Sequence, residues 1–155
     1  MMEQATRKHS RQIELPAPTD EVFALLHTPS AIRNWWFANR AIVIAQEGGV
    51  WAAVWGEHED DPDYITVARI ETFDPPRRMV LTDQKYYSKS GPLPFKADFR
   101  IEFEVLPTKD GSILRVIQDG FPTSSIADEF YNACEKGWYD TFESIRRYLA
   151  ERTAK

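Results

Sequence analysis

The apolar positions alternate first. Lys8–Leu15 reads as a strand, closed by Pro16 and Pro18, which fix φ and donate no ladder bond. Thr19 is placed to cap a helix, with Asp20 and Glu21 in its first turn, where carboxylates complement the helix dipole. Val22, Phe23, Leu25 and Leu26 then recur at helical spacing, and Thr28-Pro29 starts a second short helix whose Ile32, Trp35 and Trp36 share a face.

A β-rich stretch follows. Ala41–Ala45 is apolar, and Gly48-Gly49 turns the chain into a strand with Trp51, Ala53 and Trp55 on one face and Val50, Ala52 and Val54 on the other. An acidic loop, Glu57 to Asp63, precedes the strand Tyr64–Phe73. Asp74-Pro75-Pro76 turns into the strand Met79–Thr82, and Gly91, Pro92 and Pro94 mark a loop. Phe95 to Val105 alternates strictly and predicts one strand of about 36 Å, solvated on its Lys96, Asp98, Arg100, Glu102 and Glu104 face. Asp110-Gly111 turns into Ser112–Gln118, and Gly120 ends that strand. A helix beginning near Ser124 or Ser125 carries a stripe of Ile126, Phe130, Ala133, Cys134, Gly137, Trp138, Phe142, Ile145 and Leu149. At about 1.5 Å per residue it extends roughly 40 Å.

The order β-α-α-β-β-β-β-β-β-α with short turns predicts an α+β fold, an antiparallel sheet with one apolar face against the terminal helix. The expected domain covers residues 8–152, with 1–7 as an N-terminal tail. A strongly curved sheet around a helix is hard to fill everywhere, so a cavity between them is expected.

Composition sharpens this picture. The 155 residues are 43% hydrophobic and 28% charged, the balance of a globular domain that needs no disulfide or metal to hold its core. Aromatics reach 13%, and four of the five tryptophans lie between Trp35 and Trp55. The net charge of −5 works against nucleic-acid phosphates and anionic membrane surfaces. The single cysteine, Cys134, forms no internal disulfide and belongs to no Cys/His ligand spacing. No apolar run approaches the length of a membrane span and the N-terminus carries no apolar signal region, so a cytoplasmic location is expected. Nucleotide-binding glycine loops, nucleophile elbows and zinc-helix motifs are missing from the sequence, and no cofactor is expected. His58 among its acidic neighbours reads as a solvated loop rather than a metal site.

Six short motifs fall in a recognisable order: Ala17-Pro18, Trp35-Trp36, Gly48-Gly49, Asp74-Pro75-Pro76-Arg77-Arg78-Met79, Gly120-Phe121 and Gly137-Trp138. Together, over about residues 8 to 150, the chain resembles single-domain relatives of the heat-shock-protein-90 ATPase activator, in the START-like, polyketide-cyclase-like (SRPBCC) superfamily with the helix-grip fold. The resemblance implies a curved sheet of about seven strands and a pocket between it and the C-terminal helix, opening near the two short helices. It implies pocket-facing positions Trp51, Ala53 and Trp55; Ala68, Ile70 and Thr72; Met79, Leu81 and Asp83. Phe99, Ile101 and Phe103, then Leu114, Val116 and Gln118, and finally Phe130, Cys134 and Trp138 complete the walls. Two positions depart from the family pattern: Asp83 stands where relatives commonly carry Trp, and Gln118 where many have His. The missing His weakens an acid–base role.

Each of these residues has a plainer reading. Trp35 and Trp36 line the pocket mouth or simply pack, and each indole N–H of Trp51 and Trp55 needs a partner if buried. Asp83 is either an inward carboxyl, which an unpaired burial would neutralise, or a solvated loop residue. Gln118 fixes the polar end of a ligand or bonds within the core. Cys134, on an apolar stripe with no adjacent His, reads as a small hydrophobe. The expected function is binding of an apolar, aromatic or lipid-like small molecule. The alternatives are a cyclase- or dehydratase-like enzyme using Asp83 or a pocket Tyr, and a co-chaperone-like interaction module. Dimerisation through exposed faces is left open.

Overall fold

The computed structural model describes residues 5–153. The chain runs β1 (Thr6–Leu15), α1 (Thr19–His27), α2 (Pro29–Trp35), β2 (Arg40–Val43), β3 (Val50–Trp55), β4 (Tyr64–Asp74), β5 (Arg78–Ser88), β6 (Arg100–Pro107), β7 (Ser112–Pro122) and α3 (Asp128–Thr153), with one 3-10 turn (Ser125–Ala127) leading into α3. The strands form one antiparallel sheet in the order β1-β7-β6-β5-β4-β3-β2. Only β1 leaves sequence order. It pairs with β7 at one edge while β2 forms the other, so α1 and α2 carry the chain across from edge to edge.

This is the expected α+β helix-grip architecture, with differences in detail that decide where the site lies. Thr6 and Arg7, expected in a tail, belong to β1; residues 1–4 lie outside the described residues. Pro18, not Thr19, occupies the cap position of α1, and Thr28 Oγ1 donates back to the Ala24 carbonyl at 2.6 Å instead of capping α2. Gly120 does not end its strand. It lies within β7 at φ 100°, where a Cβ would run into the carbonyl of Asp98, so only glycine fits.

The largest departures concern β5 and β6. The strand expected at Met79–Thr82 continues to Ser88, and the one expected from Phe95 begins only at Arg100. β6 pairs with β5 over Arg78–Leu81 alone, and the two then diverge. The β4–β5 ladder also shifts register twice, between Val67 and Arg69 and between Ile70 and Thr72. At the first shift Asp83 sits on β5 with φ 53°, a conformation Asp tolerates better than most residues. Because side chains alternate with a period of two, each extra residue exchanges the faces beyond it. Phe73 therefore packs on the core in place of Thr72, and Gln84 joins the inner face in place of Asp83.

Helix α3 covers the inner face, but only along its second half. Trp138, Phe142, Ile145 and Leu149 are buried, whereas Phe130 and Cys134 are half-buried and Ala133 and Gly137 exposed. Ile126, expected on the buried stripe, is 56% exposed. The first half is held instead by the strand beneath it. His9 Nε2 donates to the Tyr131 carbonyl at 2.6 Å, and the two rings stack at 3.8 Å.

Candidate functional site

The inner face has two ends of different construction. Around α1 and α2 the tryptophans are core. Trp35 Nε1 donates to the Leu25 carbonyl at 2.9 Å and Trp51 Nε1 to the Leu26 carbonyl at 2.8 Å. These carbonyls close α1, where the helix leaves acceptors unpaired. The residue four positions beyond Leu25 is Pro29, which has no N–H to offer. The indoles thus cap a helix that proline has broken. Trp55 Nε1 donates to the Trp36 carbonyl at 3.0 Å, and its ring meets Trp36 edge-on at 4.9 Å.

Beyond Trp36 the packing opens. A cavity of about 110 Å³ lies between the sheet and the middle of α3, lined by Trp36, Gln84, Tyr86, Ile101, Gln118, Cys134, Gly137, Trp138 and Thr141. Gly137 is exposed, and a Cβ there would meet nothing within 4 Å, so the cavity reaches solvent along α3. Its polar walls are held in defined orientations. Trp36 Nε1 donates to Thr141 Oγ1 at 3.1 Å, and Trp138 Nε1 donates to Gln118 Oε1 at 2.7 Å. An indole only donates, so the Gln118 oxygen faces Trp138 and its amide NH₂ is directed elsewhere. Gln84 Nε2 donates to Thr66 Oγ1 at 3.1 Å, while the buried Gln84 Oε1 accepts from no protein group.

Two titratable groups reach the cavity. Tyr86 as a whole is 40% exposed, yet its hydroxyl end sits deep enough for burial to raise its pKa, with the Gln118 and Gln84 side chains pulling the other way. Burial likewise pushes the Cys134 thiol up to about 12. Both groups are therefore neutral near pH 7. Neither has the activated, low-pKa character that nucleophilic chemistry requires, nor a pKa matched to taking a proton there. The site is suited to binding through apolar contact and neutral hydrogen bonds.

Of the expected site residues, the structure brings Trp36, Gln118, Cys134 and Trp138 together on the cavity wall. Trp35, Trp51, Ile70, Leu81 and Phe103 lie in the packed core, and Trp55 packs half-buried against it. Phe99 and Phe130 belong to a neighbouring aromatic cluster, 5.6 Å apart and each 5.9 Å from Tyr86. Asp83 is turned away from the cavity: its bulge places it on the outer face, paired with Arg69 at 3.2 Å and largely exposed. A shallow depression of about 670 Å³ lies there, over Arg69, Asp83, Lys85 and Asp98. It is the larger space, but it is open and its floor is charged. The cavity beside α3, whose walls are mostly apolar and neutral, is the better candidate.

Gln84, Tyr86 and Thr141 were missed. Gln84 and Tyr86 lie beyond the point where strict alternation fails. The available signal was Asp83 itself, a residue type that enters the left-handed region, inside an otherwise β-like run. Thr141 lies seven residues after Cys134 and three after Trp138 on α3, and helical spacing places it on the same side.

Comparison with known proteins agrees with this architecture. The family model described as "Activator of Hsp90 ATPase homolog 1-like protein" matches residues 16–150. A comparison with curated proteins finds no match. Among solved structures, a Mesorhizobium loti protein superposes with a TM-score of 0.76 at 17% identity, covering 94% of this chain and 98% of that one. CalU16 from Micromonospora echinospora gives 0.64 at 18% identity, over 95% and 83%. DynU16, from the dynemicin biosynthetic locus, gives 0.71 at 15% identity, over 92% of this chain and 47% of its own. At these identities the likeness is one of fold. The match over most of its length shows that the chain belongs to the family of proteins like the activator of Hsp90 ATPase homolog 1.

Proposed function

We propose that this protein binds a small, largely apolar molecule in the cavity between α3 and the sheet. The observation that carries the reading is an open space of about 110 Å³ at Gly137, walled by Trp36, Ile101 and Trp138. Protein interiors are normally close-packed, so a persistent gap beside three large apolar side chains asks for an occupant. Its size limits the occupant. Drug-sized ligands use about 300–1,000 Å³, whereas a cavity of about 150 Å³ suffices for benzene. At about 110 Å³ the cavity is smaller than that, so it takes the inner edge of a ring-sized group whose remainder lies in the opening at Gly137. Family membership supports the reading, and DynU16, similar in fold, comes from a biosynthetic locus.

The test uses the indole N–H signals of Trp36 and Trp138 in an NMR titration with toluene and phenol, beside native mass spectrometry of the purified protein. Saturable shifts of these two signals, with little change at Trp35 and Trp51, are expected. Gly137→Leu, which places a side chain at the opening, is expected to abolish them. Failure of both probes to move either signal would overturn the reading.

A further inference from the structure

We propose that a second copy of this chain docks on the open edge of β2, antiparallel about a two-fold axis at Val43, so that two seven-stranded sheets join into one. The pairing does not involve the cavity.

The outer face of the sheet has two unlike halves. An antiparallel sheet covered on one side normally keeps its other face polar. One half does so, with Arg78, Arg100 and Arg115 paired to Glu102 and Glu104. The other half is apolar. Register places Ile42 beside Ala52 and Ala52 beside Val67, with Val54 beside Ile65 in the next row. Exposure is greatest at the edge, where Ile42 is 57% and Ile44 52% exposed. An exposed apolar edge strand is a ready template for another chain.

The backbone of this edge is open as well. Ile44 N–H donates to the Val50 carbonyl at 2.9 Å, and ladder bonds alternate along an antiparallel pair. Arg40, Ile42 and Ile44 therefore direct their backbone groups at β3. Ala41, Val43 and Ala45 direct theirs away from the sheet, with no partner among the described residues. The opposite edge is protected. There β1 carries Arg7, Lys8 and Arg11, and Tyr131 Oη donates to the Lys8 carbonyl at 3.0 Å. Charged side chains and covering groups are the usual protection of an edge, and the run from Ala41 to Ala45 holds no charge and no proline.

A second copy fits because this run is its own complement. Ala41-Ile42-Val43-Ile44-Ala45 reads the same in both directions. Antiparallel pairing about Val43 sets Ala41 opposite Ala45 of the second copy and Val43 opposite its own counterpart, the positions whose backbone groups face outward. Each such pair exchanges two hydrogen bonds. Ile42 falls opposite Ile44 of the second copy at the closer, non-hydrogen-bonded spacing, where side chains meet across the strands. Moving the axis to Ile42 or to Ile44 would instead set Arg40 or Gln46 opposite an isoleucine. So short a pairing buries less than the roughly 1,600 Å² of a standard interface, and the dimer is accordingly weak, with a Kd on the order of 100 μM.

The experiment is sedimentation equilibrium of the full chain from about 10 μM to about 1 mM, with amide hydrogen exchange at both ends of that range. Dimer is expected to dominate at the upper end. Exchange at the Ala41, Val43 and Ala45 amides is expected to be about fourfold slower there, with the amides of β1 unchanged. Ile42→Lys with Ile44→Lys sets cations opposite one another at both cross-strand pairs and is expected to stay monomeric throughout. A wild-type chain that is monomeric at every concentration would overturn the proposal and leave this edge to a strand of another protein. A dimer whose Ala41, Val43 and Ala45 amides exchange at the monomer rate would place the contact elsewhere and overturn it too. So would a dimer undiminished in the double lysine variant. The wild-type exchange rates decide the matter even if that variant does not fold.

Discussion

At the α1–α2 end of the sheet, Trp35 and Trp51 are 2% and 3% exposed, and each donates its indole proton to a carbonyl that would otherwise be orphaned. At the middle of α3, Trp36 and Trp138 also have paired N–H groups, but their partners are the side chains of Thr141 and Gln118. Backbone partners anchor the first pair to the fold. Side-chain partners at the second join polar groups of the cavity wall to one another beside a space the packing leaves open. These four tryptophans, three from one stretch of sequence and one from α3, therefore do two jobs. The division follows what their N–H groups reach, not their position along the chain.

The sharpest way to break this comparison is truncation at the packed end. Trp35→Ala removes a large side chain from a full core and frees the Leu25 carbonyl, and is expected to cost about 3–5 kcal/mol. Denaturant unfolding measures it. A loss below about 1 kcal/mol would mean that this end is as loosely packed as the cavity.

Legibility in the sequence follows the same division. The two short helices, the Gly48-Gly49 turn and the alternation over Ile101, Phe103 and Val105 were readable because each side chain obeys one period. The cavity walls were readable where that period holds, at Gln118, Cys134 and Trp138. They were unreadable past Asp83, because a single extra residue reverses the faces that follow and leaves no trace in composition. The stripe on α3 misled in another way. Its apolar spacing runs through Ile126 and Phe130, but β5 and β6 diverge beneath it and little sheet remains there to bury it.

The cavity end is expected to reveal itself at high pH. Cys134 is raised from 9.0 to about 12, and Tyr86 is raised above 10.0, both by burial. Above pH about 9 the unfolded chain releases protons that the folded chain keeps, so stability is intact below that point and falls as pH rises. The slope is about 1.4 kcal/mol per pH unit for Cys134 alone, and steeper above about pH 10 when Tyr86 joins. Urea midpoints between pH 8 and 11 measure it, and Cys134→Ala with Tyr86→Phe is expected to flatten the curve. An unchanged slope in the double variant would show that neither group is buried as the cavity requires.

A smaller effect separates packing from helix formation at the opening. Gly137 lies inside a helix, where glycine costs about 1 kcal/mol relative to alanine, and a Cβ meets nothing within 4 Å. Gly137→Ala is expected to gain about 1 kcal/mol and raise Tm by a few degrees. A loss of stability would mean that the space beside α3 is filled.

Asp83 gives the smallest expected change and tests the bulge itself. Its carboxylate is largely exposed and pairs with Arg69 at 3.2 Å, and such surface pairs contribute between about 0 and 1 kcal/mol. Asn accepts the left-handed conformation as readily as Asp, so Asp83→Asn is expected to alter stability by no more than about 0.5 kcal/mol and to leave phenol binding unchanged. Asp83→Val keeps a side chain of similar size but places a β-branched residue at φ 53°, and is expected to cost about 1–2 kcal/mol. The pair of variants isolates backbone from charge. A large loss of binding in Asp83→Asn with unchanged stability would put the carboxylate back on the cavity side, and Gln84 and Tyr86 would then have to face outward. A sizeable cost in Asp83→Val with a silent Asp83→Asn fixes the backbone turn as the feature that matters, because the turn decides which side chains the cavity receives.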